Sequence, residues 1–267
     1  MMKALAAELR IEGDELFATL QDLSDEDWAR PTPFKSWTVN DVIGHLHLGD
    51  WMVKLTMTDP ERYLKVREAR AEARAQGMGA SESMAGLGPD LKTGPALLAQ
   101  WRPSFIEMCD AFADADPKHR VKWSGPDMSV RSAATARQME TWAHGQEIYD
   151  LLRRPRHATD RLKNIAELGV RTFGWTFVNR DQTPPADVPY VRLTAPSGAI
   201  WEWNEPNETN KVEGSAEDFC RVVTQGRNIA EVDLTVVGDA ATAWMDIAQC
   251  FAGPPNDPPV PGVRGWG

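Results

Sequence analysis

Apolar residues recur at helical spacing through almost all of the first 179 residues. That periodicity leaves the front two-thirds of the chain little choice but a bundle of packed helices. Residues 2–22 carry Leu5, Leu9, Ile11, Leu16 and Leu20 where one helix face can hold them. A turn-rich segment with two prolines, 23–37, comes next. Thr38-Val39-Asn40-Asp41 then matches a capping box, which predicts a helix start there, with His45 on its second turn. A break is expected near Asp59-Pro60, ahead of the charged stretch 61–76, and the Gly- and Ser-rich segment 77–94 reads as a long loop. Residues 96–113 predict a third helix with Leu97, Leu98, Trp101, Phe105, Met108 and Phe112 inward. Residues 130–152 and 161–179 predict two more.

The texture changes after Asn179. Residues 181–189 are a Pro-rich connection, and the following stretch reads as two short strands around Pro196-Ser197-Gly198. Residues 216–225 have a helical pattern, 232–237 alternate like a strand, and 240–251 close with a helix. The Pro- and Gly-rich tail 254–267 is too irregular for regular structure. The expected class is α+β, with a helical domain over 1–180 and a smaller mixed domain over 181–267.

At 267 residues the chain can bury two ordinary cores. Its net charge of -10 has no basic stripe, which argues against a nucleic-acid partner. No apolar run reaches the roughly 18 residues of a membrane span, and the amphipathic start lacks the features of a signal peptide. Cys109, Cys220 and Cys250 form no CxxC pair and leave one over, which fits free thiols in a reducing cytoplasm. No Gly-x-Ser-x-Gly, Walker or Gly-x-Gly-x-x-Gly sequence is present, so a serine nucleophile or a nucleotide site is not expected.

With only five histidines, the search for chemistry is narrow. Glu140 and His144 are four apart on a predicted helix and share one face. A carboxylate and an imidazole on a partly apolar stripe are costly to bury unless a cation pairs with them. Catalytic zinc takes three such ligands and keeps a fourth position open, and His45 is the natural third. The plainer alternatives are a solvent-facing Glu–His pair, and for His45 a core histidine bonded to a backbone carbonyl. His47, two residues on, should face away from His45 as a surface or supporting residue. His119 and His157 lie in charged, loop-like stretches.

The segment Trp37-Thr38-Val39-Asn40-Asp41-Val42-Ile43-Gly44-His45-Leu46 resembles the second-helix signature of the DinB-like, mycothiol-dependent maleylpyruvate isomerase family. Arg137-Gln138-Met139-Glu140-Thr141-Trp142-Ala143-His144 resembles its second motif. The resemblance implies zinc held by His45, Glu140 and His144, supported by Arg137 and Glu147. It also implies a DinB-like up-down bundle followed by a sterol-carrier-like domain. In that second domain residues 201–204, 213–216, Gly226-Arg227 and 237–239 match loosely, and Arg227 stands where a functional arginine is expected. Two departures are visible: Glu147 replaces the family's Asp three residues after the second histidine, with Asp150 beyond, and the tail is longer. Similar actinobacterial metal-binding proteins include some labelled for wyosine base formation, which the acidic charge disfavours.

What the resemblance implies chemically is a zinc-bound thiolate of mycothiol adding to a small electrophilic carboxylate or acyl substrate, with isomerisation or S-transfer as the outcome. Arg227 would hold a substrate carboxylate and stabilise enolate charge. A hydrolase using zinc-bound water, with Glu147 as base, is the first rival. A non-catalytic protein holding a structural metal and an apolar ligand beside some of its 11 tryptophans is the second. The partners expected are a small thiol and a small substrate, with neither nucleic acid nor membrane. Whether two copies pair as a homodimer is left open.

Overall fold

The computed structural model describes residues 2–78, 82–123 and 125–264. Parts of the expected loop (79–81) and tail (265–267) therefore lie outside the described residues. The chain divides into two compact units, Met1–His144 and Gly145–Gly267. The change of texture near residue 180 comes just before the first strand of the large sheet, whereas the division between the units falls earlier, inside a helix.

The first unit is helical. Helix α1 spans Met2–Gln21, α2 Asp25–Ala29, α3 Val39–Thr58, α4 Pro60–Ala75 and α5 Gly94–Asp114. The long α6, Val130–Leu152, begins here. The capping box at Thr38 forms as expected: its hydroxyl accepts from the Asp41 amide, and the Asp41 carboxylate accepts from Thr38 N–H at 2.9 Å. Two orphan donors of the first turn are thereby satisfied. Pro60 ends α3 and opens α4, because the residue before a proline is pushed out of the helical region. Helix α2 falls where only turns were expected. Ser24 and Asp27 make a reciprocal capping box that holds five residues helical and buries Trp28.

Packing follows the apolar stripes. Helix α5 lies against α1 and α3, and Leu9, Leu16, Leu20, Ile43, Leu97, Trp101, Phe105 and Phe112 are all fully buried. At about 1.5–3 kcal/mol for each fully buried large side chain, this shared core is the main stabilising term of the unit. A short antiparallel pair, β1 (Arg120–Val121) with β2 (Met128–Ser129), which the sequence did not suggest, leads into α6.

The second unit holds the end of α6, helices α7 (Leu162–Arg171) and α8 (Phe173–Val178), and a four-stranded sheet. The single helix expected over 161–179 is broken at Thr172, whose hydroxyl donates back to the Leu168 and Gly169 carbonyls and competes with the helical ladder. Strands β3 (Tyr190–Thr194) and β4 (Ile200–Trp203) form the expected hairpin around Pro196-Ser197-Gly198. Strand β5 (Lys211–Ser215) pairs parallel with β3, and β6 (Leu234–Val237) antiparallel with β5, in the order β4-β3-β5-β6. Helix α9 (Ala216–Val223) packs against α7. Helix α10 (Asp239–Met245) stops short of the expected Phe251 and brings Trp244 edge-on to Phe173 and Phe219.

Gly238 joins β6 to α10 at φ 92°, a left-handed conformation, and a Cβ there would overlap the Thr209 carbonyl oxygen. Both backbone conformation and space demand glycine. Gly238→Ala should lower stability by about 2–3 kcal/mol, read as a shift in the urea midpoint without a change in slope. A midpoint unchanged within error would contradict this packing.

Candidate metal centre

His45 stands on α3, and Glu140 and His144 stand one turn apart on α6. The fold brings all three together. His45 Nε2 lies 3.1 Å and His144 Nε2 3.5 Å from Glu140 Oε2, the two imidazole rings meet at 4.7 Å, and the candidate ligand atoms all fall within 4.8 Å of one another. Ligands about 2.0–2.1 Å from a tetrahedral ion sit roughly 3.3 Å apart, so both the spacing and the nitrogen–oxygen donor set suit zinc or a similar divalent cation. Neither plainer alternative describes the site: Glu140 and His45 are partly shielded rather than solvent-facing, and His45 meets a carboxylate instead of a carbonyl.

The electrostatics prepare the same donor set. Burial pulls the His45 pKa below its ordinary 6.5, with Glu140 opposing and His144 adding to the fall. Burial alone would raise the Glu140 carboxyl, but hydrogen bonds from His144 and His45 override it and hold that pKa well below the usual carboxylate range. Near neutral pH the cluster therefore offers a carboxylate anion beside a neutral His45, the forms a metal requires.

Arg137, three residues before Glu140, does something more specific than general support. Its Nε and Nη2 reach Asp50 Oδ1 at 3.0 and 2.9 Å, and Nη2 also donates to the Leu46 carbonyl at 3.3 Å. Asp50 is fully buried and takes a further bond from Trp101 Nε1 at 2.9 Å. This network ties α6 to α3 and α5 just below the cluster. Arg137 lies so close along α3 that a Cβ on Gly49 would sit 2.6 Å from its Nη1. Sequence reasoning passed over Asp50; the available signal was a lone acid inside the apolar run from Leu46 to Val53, which needed a cation to be buried.

Two aromatic residues were also missed. Trp37 stacks on His144 at 5.8 Å and 16° and approaches His45 at 5.3 Å; Phe34 meets His144 edge-on at 5.3 Å. They lie in the loop between α2 and α3, where no periodicity marks them. The surface alternative for His47 needs correcting: it is 2 % exposed, neither ring nitrogen has a hydrogen-bond partner among the described residues, and burial draws its pKa down to about 4.

The remaining candidates lie in the second unit. Glu147 is buried on α6. Arg227 makes a two-pronged ion pair with Asp150, Nη1 to Oδ2 at 2.7 Å and Nη2 to Oδ1 at 2.8 Å. Both line a cavity of about 590 Å³ in that unit, together with Gln146, Arg154, Arg156 and Arg221.

A helical unit with a converging His–Glu–His cluster, followed by an α+β unit, defines a class of candidate metalloproteins. The sequence model of the "Mycothiol maleylpyruvate isomerase N-terminal domain" family matches residues 9–149. The chain belongs to that family. Two uncharacterized proteins of Mycobacterium tuberculosis, from strains CDC 1551 / Oshkosh and ATCC 25618 / H37Rv, are each 40% identical over 251 residues, covering 94% of this chain and 96% of their own. Crystal structures of the mycothiol-dependent maleylpyruvate isomerase and of a point mutant of it resemble the fold, with TM-scores of 0.54 and 0.53 and 15% and 13% identity. Each comparison covers 83% of this chain and 88% of that structure.

Two outcomes follow from this geometry. Removing one partner of the buried pair, by Asp50→Ala or Arg137→Ala, should cost about 3–5 kcal/mol in chemical denaturation, since the survivor is left as an unpaired buried charge. The double variant should cost clearly less than the sum; strict additivity would deny the coupling. The second outcome concerns pH. A histidine with a lowered pKa stays unprotonated to lower pH, so the bend in apparent metal affinity against pH should fall below 6.5. A bend at or above 6.5 would count against this desolvated arrangement of His45.

Proposed function

We propose that the protein is a divalent-metal-dependent enzyme, a mycothiol-using isomerase or S-transferase that acts on a small electrophilic carboxylate or acyl compound. The convergence of His45, Glu140 and His144 carries this reading, and membership of the family supports it. Zinc is the expected metal. When bound it would supply a positive centre that lowers the pKa of a thiol and favours thiolate near neutral pH.

The rest of the work falls to the chain's own residues. His45 and His144 contribute neutral nitrogens, and Glu140 contributes one negative charge, so the loaded centre keeps net positive charge for an incoming anion. The buried Arg137–Asp50 pair holds the helices that carry them. Glu147, buried one turn beyond the second histidine, is the proposed orienting carboxylate for His144. Arg227 is the proposed anchor for a substrate carboxylate. Its Nη1–Nη2 fork is taken by Asp150, which sets the guanidinium in one orientation, and the Nε–Nη2 edge is the side proposed to hold a substrate carboxylate through two parallel bonds. The cavity around it presents four arginines against three carboxylates, a locally cationic lining on a protein of net charge -10. The buried Oε1 of Gln146 in that lining has no partner among the described residues and would accept from a ligand hydroxyl or amide. The three cysteines are buried and in no disulfide, which accords with a reducing compartment, the cytoplasm. No helix among the described residues is long and apolar enough to cross a membrane.

Metal analysis of the purified protein tests the base of this reading. The expected result is about one divalent ion per chain, lost in His45→Ala and in His144→Ala. Cobalt-substituted protein should then change its visible absorption when mycothiol is added. A chain that retains metal after both substitutions ends the ligand assignment. A centre that ignores thiols yet hydrolyses activated esters without them would replace the isomerase reading with the hydrolase one.

A further inference from the structure

The loop Pro31–Thr38 is short, closed and oddly furnished. An antiparallel bridge between Pro31 and Thr38 pins its neck, and Thr32 N–H donates to the Trp37 carbonyl at 2.7 Å across it. Trp37 N–H donates back to the Phe34 carbonyl at 2.8 Å. At the tip Lys35 and Ser36 both adopt left-handed backbone, φ 51° and 56°, which non-glycine residues avoid unless the surroundings impose it. The product of this arrangement is a pair of rings: Trp37 and Phe34, 5.0 Å apart and nearly perpendicular, both lying on the histidine cluster.

We propose that Trp37 is a positioning residue for the metal centre, holding both imidazoles in ligating orientation and favouring the metal-loaded form through its indole face. The inference rests on the metal reading above. It starts from the fact that Trp37 touches both histidines, near-parallel to His144 and tilted over His45. A ring packed this way narrows the range of χ2 each imidazole can explore, so less order has to be imposed when a cation arrives. The second effect is electrostatic. A divalent ion withdraws electron density from the imidazoles it binds and leaves them partly cationic, and the face of an indole is the most favourable aromatic surface for such a charge. The same stacking is therefore stronger with metal than without it, and an interaction that differs between two states shifts the balance between them. An aliphatic side chain of similar bulk would fill the space and supply only the first effect. Phe34 meets His144 edge-on, without the near-parallel face contact that Trp37 makes, so its share is smaller.

The test compares Trp37→Leu, Trp37→Phe and Phe34→Leu with the unaltered full-length chain. Zinc and cobalt affinities are measured by competition with a chelating dye, and stability of the metal-free forms by urea denaturation. Trp37→Leu should weaken metal binding about tenfold, the low end of what outer-shell partners contribute. The ligand-field bands of its cobalt form should shift. Trp37→Phe should recover most of the affinity, and Phe34→Leu should lose less than Trp37→Leu. A merely structural tryptophan would lower the metal-free urea midpoint while leaving the cobalt spectrum and the dye competition unchanged, and that result overturns the proposal. Should Trp37→Leu fail to fold, the decision passes to Trp37→Phe, which must show a smaller but measurable loss of affinity and a shifted band; unaltered values in it overturn the proposal. If the unaltered chain binds neither metal, the metal reading itself fails. If it binds both and the variants match it, only the role of Trp37 fails.

Discussion

The salt link between Arg137 and Asp50 is the constraint on which the candidate centre depends. Two helices joined only by apolar side chains can slide or rotate by fractions of an ångström at little cost, which a cluster of ligands about 3 Å apart cannot tolerate. A guanidinium fork buried against one carboxylate, one backbone carbonyl and a tryptophan N–H donor on that same carboxylate has a single satisfactory geometry. Arg137 precedes Glu140 by less than a turn and Asp50 follows His45 by little more than one. The register that satisfies the buried charges is thus the register that brings His45 to Glu140. Such pairs are often poor stabilisers in net terms compared with apolar packing, and specificity of arrangement is the better account of this one.

Much of the first unit was legible because local chemistry and tertiary structure agree there. The Thr38–Asp41 cap announces α3, Pro60 ends it, and the scarcity of histidines leaves few ways to assemble a nitrogen-rich site. Glu140 and His144 share a face by helix geometry alone. What the sequence could not supply was the third member's approach, since whether His45 reaches them depends on helix packing that no local pattern encodes. The residues around the centre were hidden for different reasons. Asp50 is one acid among 39. Trp37 and Phe34 sit in a loop, where side-chain direction follows from closure rather than from a period. The surface alternative for His47 fails because facing away from His45 on α3 does not mean facing solvent: the helix is covered on that side as well.

The second unit was less readable. Strand β5 carries Lys211, Glu213 and Gly214 and buries only Val212 fully, so it lacks the alternation that marks a half-buried strand. It is a strand because β3 and β6 flank it on both sides. Helix α2 was masked by a composition that suits turns, and the break at Thr172 by an unbroken apolar pattern. Arg227 illustrates the remaining gap: a sequence can nominate an arginine, but the partner that orients it, Asp150, is 77 positions away.

Gly49 has no functional group and sits one position before the buried acid, yet the space above its Cα belongs to the guanidinium from the opposite helix. A Cβ at this position would press on the Arg137 guanidinium and force it to shift against Asp50, and a smaller residue at 137 would leave Asp50 uncompensated. The two sites, 88 positions apart, are thus not independent in descent. Among chains that keep the three ligands, a replacement at one should travel with a replacement at the other, so this pair is a place to look for lineages whose centre has been rebuilt.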